Sequence, residues 1–351
     1  MTNPVRFALI GLGQPHMEAY TETLLNMPGV EIVAAYDWEM HARPQTLPES
    51  LAGMPIYKDV EPLLDEIAPD ALMVCLPGKF VPGIVELAAA RGIHVMAEKP
   101  CAISADAWLP ATRAIEASGI QFATGYLRKF HPVYKTMRQL VEEGIVGDLL
   151  AAETSFLTST VKSRNPNHWF FMKEMNGGGI LSWLGCHFID LFRFVAGCDP
   201  VEVTAMLETR SPFDIDVEDF ASVSIKYENR MIATLHTGYV GGNRLDIGFQ
   251  GTLGSMRMAD GETELHVTSS HPSWATAPTR VFRFEKDLSV PGYSGAVGME
   301  VVQRFIDAFR HGGPPPFTPE DARRVLAVID AAHRSSDEGR TVAVAQRGVR
   351  P

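Results

Sequence analysis

The sequence is poor in cysteine: it has four in 351 residues, and none of them forms a Cys-x-x-Cys pair. Cys75 lies in an apolar run typical of a buried strand, where cysteine acts as a small hydrophobic residue. No cluster of Cys, His, Asp or Glu has the spacing of a zinc site. We therefore expect reduced thiols, a cytoplasmic location and no bound metal.

The sequence also lacks a hydrophobic run long enough to span a bilayer. The first strand-like run, residues 5–10, begins so close to Met1 that it leaves no room for a signal peptide. Positive charge is in deficit, since 31 Lys and Arg against 42 Asp and Glu give a net charge of -11. Phosphate backbones and anionic headgroups would be repelled, so we expect a soluble protein with no nucleic-acid or membrane partner.

Short apolar runs alternate with helix-like segments as far as residue 125. This alternation predicts a doubly wound parallel sheet. Later runs alternate apolar and polar residues between turns, which predicts a mostly antiparallel sheet. We therefore expect an α/β protein with two domains, a nucleotide-binding domain over residues 1–125 and an α+β domain over residues 126–351. Helices are expected in the second domain over residues 132–143, 181–195 and 319–335.

Gly11-Leu12-Gly13 follows the first strand-like run and precedes a predicted helix. There, two glycines let the backbone turn tightly and approach a pyrophosphate at the helix N-terminus. His16 stands where the usual fingerprint has a third glycine, while Pro15 suits the first helical position. A glycine turn without a ligand is the alternative, but strand, helix and a following acid together favour a dinucleotide site.

That acid is Asp37, at the end of the second strand-like run. A carboxylate there accepts hydrogen bonds from the ribose hydroxyls, and a 2′-phosphate would meet like charge. The sequence therefore predicts NAD, with NADP less favoured. An ordinary solvated Asp is the alternative, and Arg43 is close enough in sequence to weaken the preference.

Lys99 stands in Glu98-Lys99-Pro100, directly after the apolar run of residues 93–97. Its ammonium group is predicted at the carboxyl end of a buried strand, where open α/β sheets bind their ligands. A free lysine has a pKa of ~10.4 and carries a proton at neutral pH. Burial and the positive charge of oxidised nicotinamide would have to favour the neutral form for it to act as a base; orienting the substrate is the alternative.

On a helix from about Leu181, the residues Trp183, His187 and Asp190 recur at spacings of four and three and share one face. A run of three glycines, residues 177–179, precedes this helix and permits close backbone approach. We interpret His187 as a site residue and Asp190 as the group that holds its tautomer. A structural histidine is the alternative.

These motifs, with Gly125-Tyr126-Leu127-Arg128-Lys129-Phe130, resemble those of the glucose-fructose oxidoreductase / inositol dehydrogenase / rhizopine-catabolism (Gfo/Idh/MocA) family, nearly end to end. The resemblance implies a Rossmann domain joined to an α/β domain whose open sheet serves for oligomerisation, as a homodimer or homotetramer. It also implies NAD(P)-dependent oxidation of a hydroxyl group on a sugar, a cyclitol or a sugar derivative.

The family usually places a Lys, an Asp and a His around the nicotinamide. The Lys carries over to Lys99 and the His to His187, but Trp183 stands in place of the Asp, either as a core residue or as a ring that stacks on a sugar. The resemblance implies substrate contacts from the loop that holds Arg164 and His168. The candidate cofactor residues are Gly11, Gly13, Asp37, Pro77, Glu98 and Lys99.

Three functions follow from these expectations. An NAD-dependent dehydrogenase is the first. A redox-neutral lyase or glycosidase, in which a keto-sugar forms only transiently, is the second, because Trp183 changes the set of bases. A non-catalytic NAD-binding regulator is the third, and the presence of both Lys99 and His187 argues against it.

Overall fold

The computed structural model describes residues 3–37, 47–159, 165–285 and 289–346. The chain divides into two compact units. Unit 1 comprises Met1–Leu127, Glu174–Gly177 and Asp287–Arg323, and unit 2 comprises Arg128–Lys173, Gly178–Lys286 and Arg324–Pro351. The chain therefore returns to unit 1 twice after residue 127, and a domain boundary at residues 125/126 stays a prediction.

Helices and strands are numbered along the chain. The strands are β1 (Val5–Ile10), β2 (Val30–Tyr36), β3 (Ile56–Tyr57), β4 (Ala71–Val74), β5 (His94–Ala97), β6 (Phe122–Thr124), β7 (Leu149–Leu157), β8 (Pro200–Glu208), β9 (Phe220–Tyr227), β10 (Ile232–Gly238), β11 (Arg244–Gly251), β12 (Gly254–Ala259), β13 (Glu264–Ser269), β14 (Thr279–Arg283) and β15 (Val342–Ala343). The helices are α1 (Pro15–Leu25), α2 (Val60–Ile67), α3 (Val81–Ala89), α4 (Ala105–Ser118), α5 (Pro132–Glu142), α6 (Lys173–Asn176), α7 (Cys186–Ala196), α8 (Gly295–Asp307) and α9 (Pro319–Glu338).

Unit 1 contains a parallel sheet, which within the described residues has six strands in the order β3-β2-β1-β4-β5-β6. All neighbouring strands pair in parallel. The central strand β4 is buried along its whole length, as expected when helices cover both faces of a parallel sheet. The predicted doubly wound sheet is confirmed, and the loops that follow β1, β2, β4 and β5 meet at its carboxyl edge.

Unit 2 contains a large sheet, with nine strands over the described residues in the order β14-β13-β12-β11-β7-β10-β9-β8-β15. The neighbours are antiparallel except for β7 and β10, which are parallel. Along β9, buried and more accessible residues alternate, so one face of the strand packs on the core. The predicted open, mostly antiparallel sheet is confirmed.

Polar side chains cap the starts of two helices, α4 and α9. Ser104 Oγ accepts a hydrogen bond from Ala107 N at 3.1 Å, which caps α4. At α9, Thr318 Oγ1 accepts from Asp321 N at 3.2 Å while the Asp321 carboxylate accepts from Thr318 N at 2.8 Å. This reciprocal pair satisfies two backbone donors that the helix itself cannot.

One expectation about hydrophobic runs needs correction. By length and composition, the stretch Lys173–Ala196 could cross a membrane. It is interrupted by the glycine run, and 72% of its most apolar window is buried inside the protein. The stretch therefore has the properties of core helices; the search for such stretches covered the described residues.

Candidate functional site

The glycine turn lies between β1 and α1. Gly11 and Gly13 have φ values of +93° and +86°, which L side chains rarely adopt. A Cβ atom on Gly11 would lie 2.5 Å from the Cys75 carbonyl oxygen, so the backbone here passes directly against the end of β4. Gln14 caps α1 by accepting a hydrogen bond from His16 N. The positive φ values and this close packing fix a tight turn directly before the N-terminus of α1, the position at which such folds bind a pyrophosphate.

A cavity of about 580 Å³ opens beside this turn, between the ends of β2 and β4 and helix α3. Its lining residues are Tyr36, Leu76, Phe80, Gly83, Ile84, Glu86, Leu87 and Ala90. The lining is mostly apolar and includes two aromatic rings, as expected for a pocket that takes a flat heteroaromatic group. The sequence motifs gave no signal for this pocket, because its residues come from three separate segments.

Asp37 directly follows β2 and is held there by a hydrogen bond from its N–H to the Tyr57 carbonyl oxygen at 3.1 Å. Its carboxylate oxygen Oδ2 lies 2.9 Å from Lys58 Nζ. The Lys58 side chain is 70% exposed, so it remains accessible to a ligand. Arg43, which the sequence placed near this acid, lies outside the described residues.

Glu98 and Lys99 follow β5 and are both buried, with 2% and 3% of their surfaces exposed. Glu98 Oε1 accepts a hydrogen bond from Tyr20 OH at 2.9 Å, and Oε2 accepts one from Lys99 N at 3.2 Å. Lys99 Nζ lies 4.0 Å from Oε2. A Cβ atom on Gly125 would overlap the Glu98 carboxylate, so the glycine after β6 makes room for this carboxylate.

The buried carboxylate is stabilised by nearby positive charge. Burial raises the pKa of Glu98, but the charge and contact of His16, together with Lys99 and Tyr20, outweigh this and hold the pKa below its ordinary value. His16 Nδ1 lies 3.1 Å from Glu98 Oε2, and this close contact contributes to the lowered pKa of Glu98. Burial, with the adjacent Glu98 charge, raises the pKa of Tyr20 well above its ordinary value.

Pro77 is buried in the loop that follows β4, at the same carboxyl edge. Two hydrogen bonds hold the residues after it: Lys79 N donates to the Met175 carbonyl oxygen at 2.9 Å, and Gly78 N donates to Asn176 Oδ1 at 3.4 Å. The topology therefore brings the predicted cofactor residues of unit 1 to one edge of one sheet. Their roles toward a cofactor stay predictions.

In unit 2, the helix predicted from about Leu181 is present, but its first turn is not α-helical. Residues Leu181–Gly185 form a π-helix, and α7 follows directly. Trp183 lies in the π-helix with 6% of its surface exposed, and its ring contacts Phe170 and Trp169 with centroid distances of 3.9 and 5.6 Å. This aromatic cluster favours the core interpretation of Trp183.

Asp190 is buried one turn after the half-buried His187 on α7. Its carboxylate faces two cations: Oδ2 lies 4.0 Å from Lys129 Nζ, and Oδ1 lies 3.8 Å from Arg193 Nη1. The predicted role of Asp190 toward His187 stays a prediction. Sequence reasoning missed Lys129 as a neighbour of this acid, although it belongs to a motif that carried the family resemblance.

The glycine run packs against a residue that the sequence did not single out. Glu218, which is buried, accepts hydrogen bonds from Gly179 N at 2.8 Å and from Leu181 N at 3.0 Å. A Cβ atom on Gly178 would lie 2.7 Å from His333 Nε2. These contacts, rather than close approach of a ligand alone, account for the glycines at the start of the helix.

His168 begins a short 3₁₀ helix, Trp169–Phe171, and its Nδ1 accepts a hydrogen bond from Phe170 N at 3.1 Å. This nitrogen is therefore unprotonated. A substrate contact from His168 stays a prediction, and the other candidate of this loop, Arg164, lies outside the described residues. Over the part of the chain that is described, no group of three or more His, Cys, Asp or Glu could hold a metal ion.

Comparison of the chain with known proteins identifies its family. Residues 5–126 match the model of an oxidoreductase family with an NAD-binding Rossmann fold, and residues 134–257 match the GFO/IDH/MocA C-terminal domain. D-apiose dehydrogenase of Paraburkholderia graminis is 25% identical over 347 residues, covering 95% of this chain and 88% of that protein. 2,7-Anhydro-N-acetylneuraminate hydratase of Mediterraneibacter gnavus is 23% identical and covers 97% of both chains.

Among solved structures, levoglucosan dehydrogenase in complex with NADH and levoglucosan superposes with a TM-score of 0.84 at 20% identity. The match covers 98% of this chain and 100% of that protein, and it supports the fold. The two family models together span most of the chain, in the order that the motifs predicted. The chain belongs to the Gfo/Idh/MocA oxidoreductase family, and residues 5–126 form its NAD-binding Rossmann fold.

Proposed function

We propose that this protein is an NAD-dependent dehydrogenase that oxidises a secondary hydroxyl group of a sugar, a cyclitol or a sugar derivative. The observation that carries the proposal is the buried Glu98-Lys99 pair, which stands at the same sheet edge as the Gly11-Leu12-Gly13 turn. An amine buried at the carboxyl edge of a dinucleotide-binding sheet is placed where the chemistry of such folds occurs. The dehydrogenase names of relatives agree with this.

The residues of unit 1 fit NAD. Gly11 and Gly13 let the backbone turn before the N-terminus of α1, where a pyrophosphate would bind, the apolar cavity would take a flat base, and Asp37 suits a ribose diol. When bound, NAD would accept the hydride from the carbinol carbon. We propose a preference for NAD over NADP because Asp37 would repel a 2′-phosphate, although Lys58, 2.9 Å from its carboxylate, reduces that repulsion.

We propose Lys99 as the group that handles the proton. Lys99 Nζ would take it from the substrate hydroxyl, since an amine shielded from water can exchange a proton with an alcohol more readily than a solvated ammonium. His187 is proposed as a second orienting or proton-transfer group, with Asp190 stabilising the charged imidazole. Glu98 would balance the charge beside Lys99.

The test is incubation of the purified protein with NAD and a panel of sugars, sugar acids and inositols, with products and NADH absorbance followed together. Net NADH formation with one or more members of the panel supports the dehydrogenase. Tight NAD binding with neither turnover nor substrate consumption contradicts it and favours a regulator.

One observation favours a second function. Trp183 stands in an aromatic cluster where the family usually has an Asp, so the set of bases differs from that of standard dehydrogenases. A relative that matches this chain over 97% of both sequences is a hydratase by name. A redox-neutral enzyme, in which hydride returns after elimination, would consume substrate in the same panel without accumulating NADH.

We further propose that the outer face of the large sheet mediates self-association as a homodimer or homotetramer. Two apolar side chains point out from this face, Met206 with 74% and Ile232 with 51% of its surface exposed. Large apolar side chains exposed on one face of a sheet are candidates for a contact with a second copy. Sedimentation velocity on the wild type and on Met206→Glu tests this, and an unchanged monomer in both contradicts it.

A further inference from the structure

His16 stands where the dinucleotide fingerprint usually has its third glycine, and its side chain has a defined position. It is the second residue of α1, and its imidazole lies between a carboxylate and an aromatic ring. Nδ1 lies 3.1 Å from Glu98 Oε2, and the ring centroid lies 4.6 Å from that of Tyr293. The imidazole thus connects the cofactor turn to the Glu98-Lys99 motif.

The aromatic wall behind His16 comes from a segment far away in the sequence but within the same unit. Tyr293 N donates to Thr23 Oγ1 at 2.9 Å and to the Ala19 carbonyl oxygen at 3.1 Å, which fixes the segment to α1. Its ring also lies 4.5 Å from the ring of Tyr20, the residue that donates to Glu98. His16 and Tyr20 are therefore both held toward the same carboxylate.

Glu98 Oε2 has two nitrogen-bearing side chains near it, at unequal distances. His16 Nδ1 lies at 3.1 Å and Lys99 Nζ at 4.0 Å. Coulomb attraction falls with distance and is strong in a buried environment. The closer group therefore attracts the carboxylate more strongly when it is protonated. A glycine at position 16 would leave Lys99 as the nearest cation.

We propose that His16 is a positioning residue: it pairs with Glu98 in place of Lys99, and so keeps the Lys99 amine from being drawn into a close ion pair. This inference rests on the proposed proton-transfer function of Lys99. Among the described residues, Glu98 from the end of β5 and Tyr293 from the segment before α8 contact the imidazole, and Tyr20 from α1 and Lys99 after β5 share the Glu98 carboxylate with it. His16 acts through Glu98 and does not itself touch the reacting atoms.

The test compares His16→Gly, His16→Gln and His16→Lys with the wild type. Glycine restores the usual fingerprint, glutamine keeps a neutral donor, and lysine keeps a positive charge. Without His16, Lys99 is the charged group next to Glu98, and a closer pair favours its charged form. The acid limb of the kcat profile, where the proposed base loses its proton, is therefore expected to move upward by roughly half a pH unit or more in the Gly and Gln variants. The Lys variant should stay closer to the wild type.

Binding and a matched control separate this role from a merely structural one. The NAD dissociation constant should change less than about threefold in His16→Gly, since glycine suits the turn. Glu18→Gln, which removes a charge from an exposed position of the same helix, should leave the profile unmoved. Coincident acid limbs in the wild type and in the folded, NAD-binding Gly and Gln variants would overturn the proposal.

A second readout does not depend on activity. In the absence of cofactor, the unfolding free energy of His16→Gln is expected to lie furthest below that of the wild type at about pH 5–6, where a carboxylate and an imidazole can both be charged. The two should converge below about pH 4, as Glu98 becomes protonated, and again at alkaline pH. If this pattern holds but the wild type neither binds NAD nor turns over a substrate, the proposed function fails and the pairing stands. A pH-independent difference overturns the pairing itself.

Discussion

Replacing Glu98 by glutamine tests how much the buried carboxylate stabilises unit 1. The carboxylate accepts from Tyr20 OH at 2.9 Å and from Lys99 N at 3.2 Å, and it has His16 at 3.1 Å. A glutamine keeps one acceptor oxygen and directs an NH₂ group at donors, while the two cationic side chains lose their counter-charge. Breaking a buried ion pair by removing one partner costs about 3–5 kcal/mol, a large fraction of a typical folding free energy.

Urea unfolding at neutral pH, together with hydrogen exchange of the β5 amides, measures this loss in unit 1. Because the pKa of Glu98 is lowered in the folded state, its contribution is complete above the ordinary value of 4.5 and is lost as the pH falls through the lowered value. The difference between wild type and Glu98→Gln should therefore shrink in acid. Glu31→Gln, at an exposed position of β2, should change stability by less than about 0.5 kcal/mol. A loss below about 1 kcal/mol for Glu98→Gln would refute the reasoning.

Three further predictions concern the same unit. Asp37→Ser should lower the ratio of the NADP to the NAD dissociation constant at least about tenfold, because Lys58 then faces the 2′-phosphate without a carboxylate. Titrations with both cofactors measure this ratio, and the same ratio in the variant and in the wild type would contradict the prediction. Gly83→Trp should fill the apolar cavity and weaken NAD binding by about tenfold or more, whereas Gly83→Ala, whose Cβ meets nothing within 4 Å, should bind as the wild type does. Burial lowers the pKa of His94 despite the nearby Asp70 charge. The unfolded state therefore binds more protons near pH 6, and the free energy of unfolding should fall as the pH drops through that range. In urea unfolding measured across this range, His94→Gln should make the free energy of unfolding depend less on pH.

Much of the fold could be predicted because local patterns and the overall architecture agree. The apolar run of residues 5–10 predicted β1 with its observed bounds, and Ser104 caps the start of α4. Strand β7 was missed, although it lies in the middle of the large sheet. Its sequence, with two alanines and several polar residues, has weak alternation, and its position is set by pairing with β10 and β11 rather than by its own propensity.

The candidate site could be predicted only as far as its motifs reach. Sheet topology alone brings the glycine turn and Lys99 to one edge, so these could be placed from sequence. Lys58, Glu218 and Tyr293 make their contacts through space with residues distant in the chain, and no local pattern indicates them. The π-helix at Leu181–Gly185, which holds Trp183, also has no local signal.

The central claim is that Lys99 moves the substrate proton, and the turnover number of Lys99→Met tests it most directly. With the substrate identified in the panel, we expect kcat to fall about a hundredfold or more while the NAD dissociation constant stays within about threefold of the wild type. Lys226→Met, at an exposed position of β9, serves as the matched control and should retain wild-type turnover. A Lys99→Met enzyme that keeps wild-type kcat across the pH range would contradict the account.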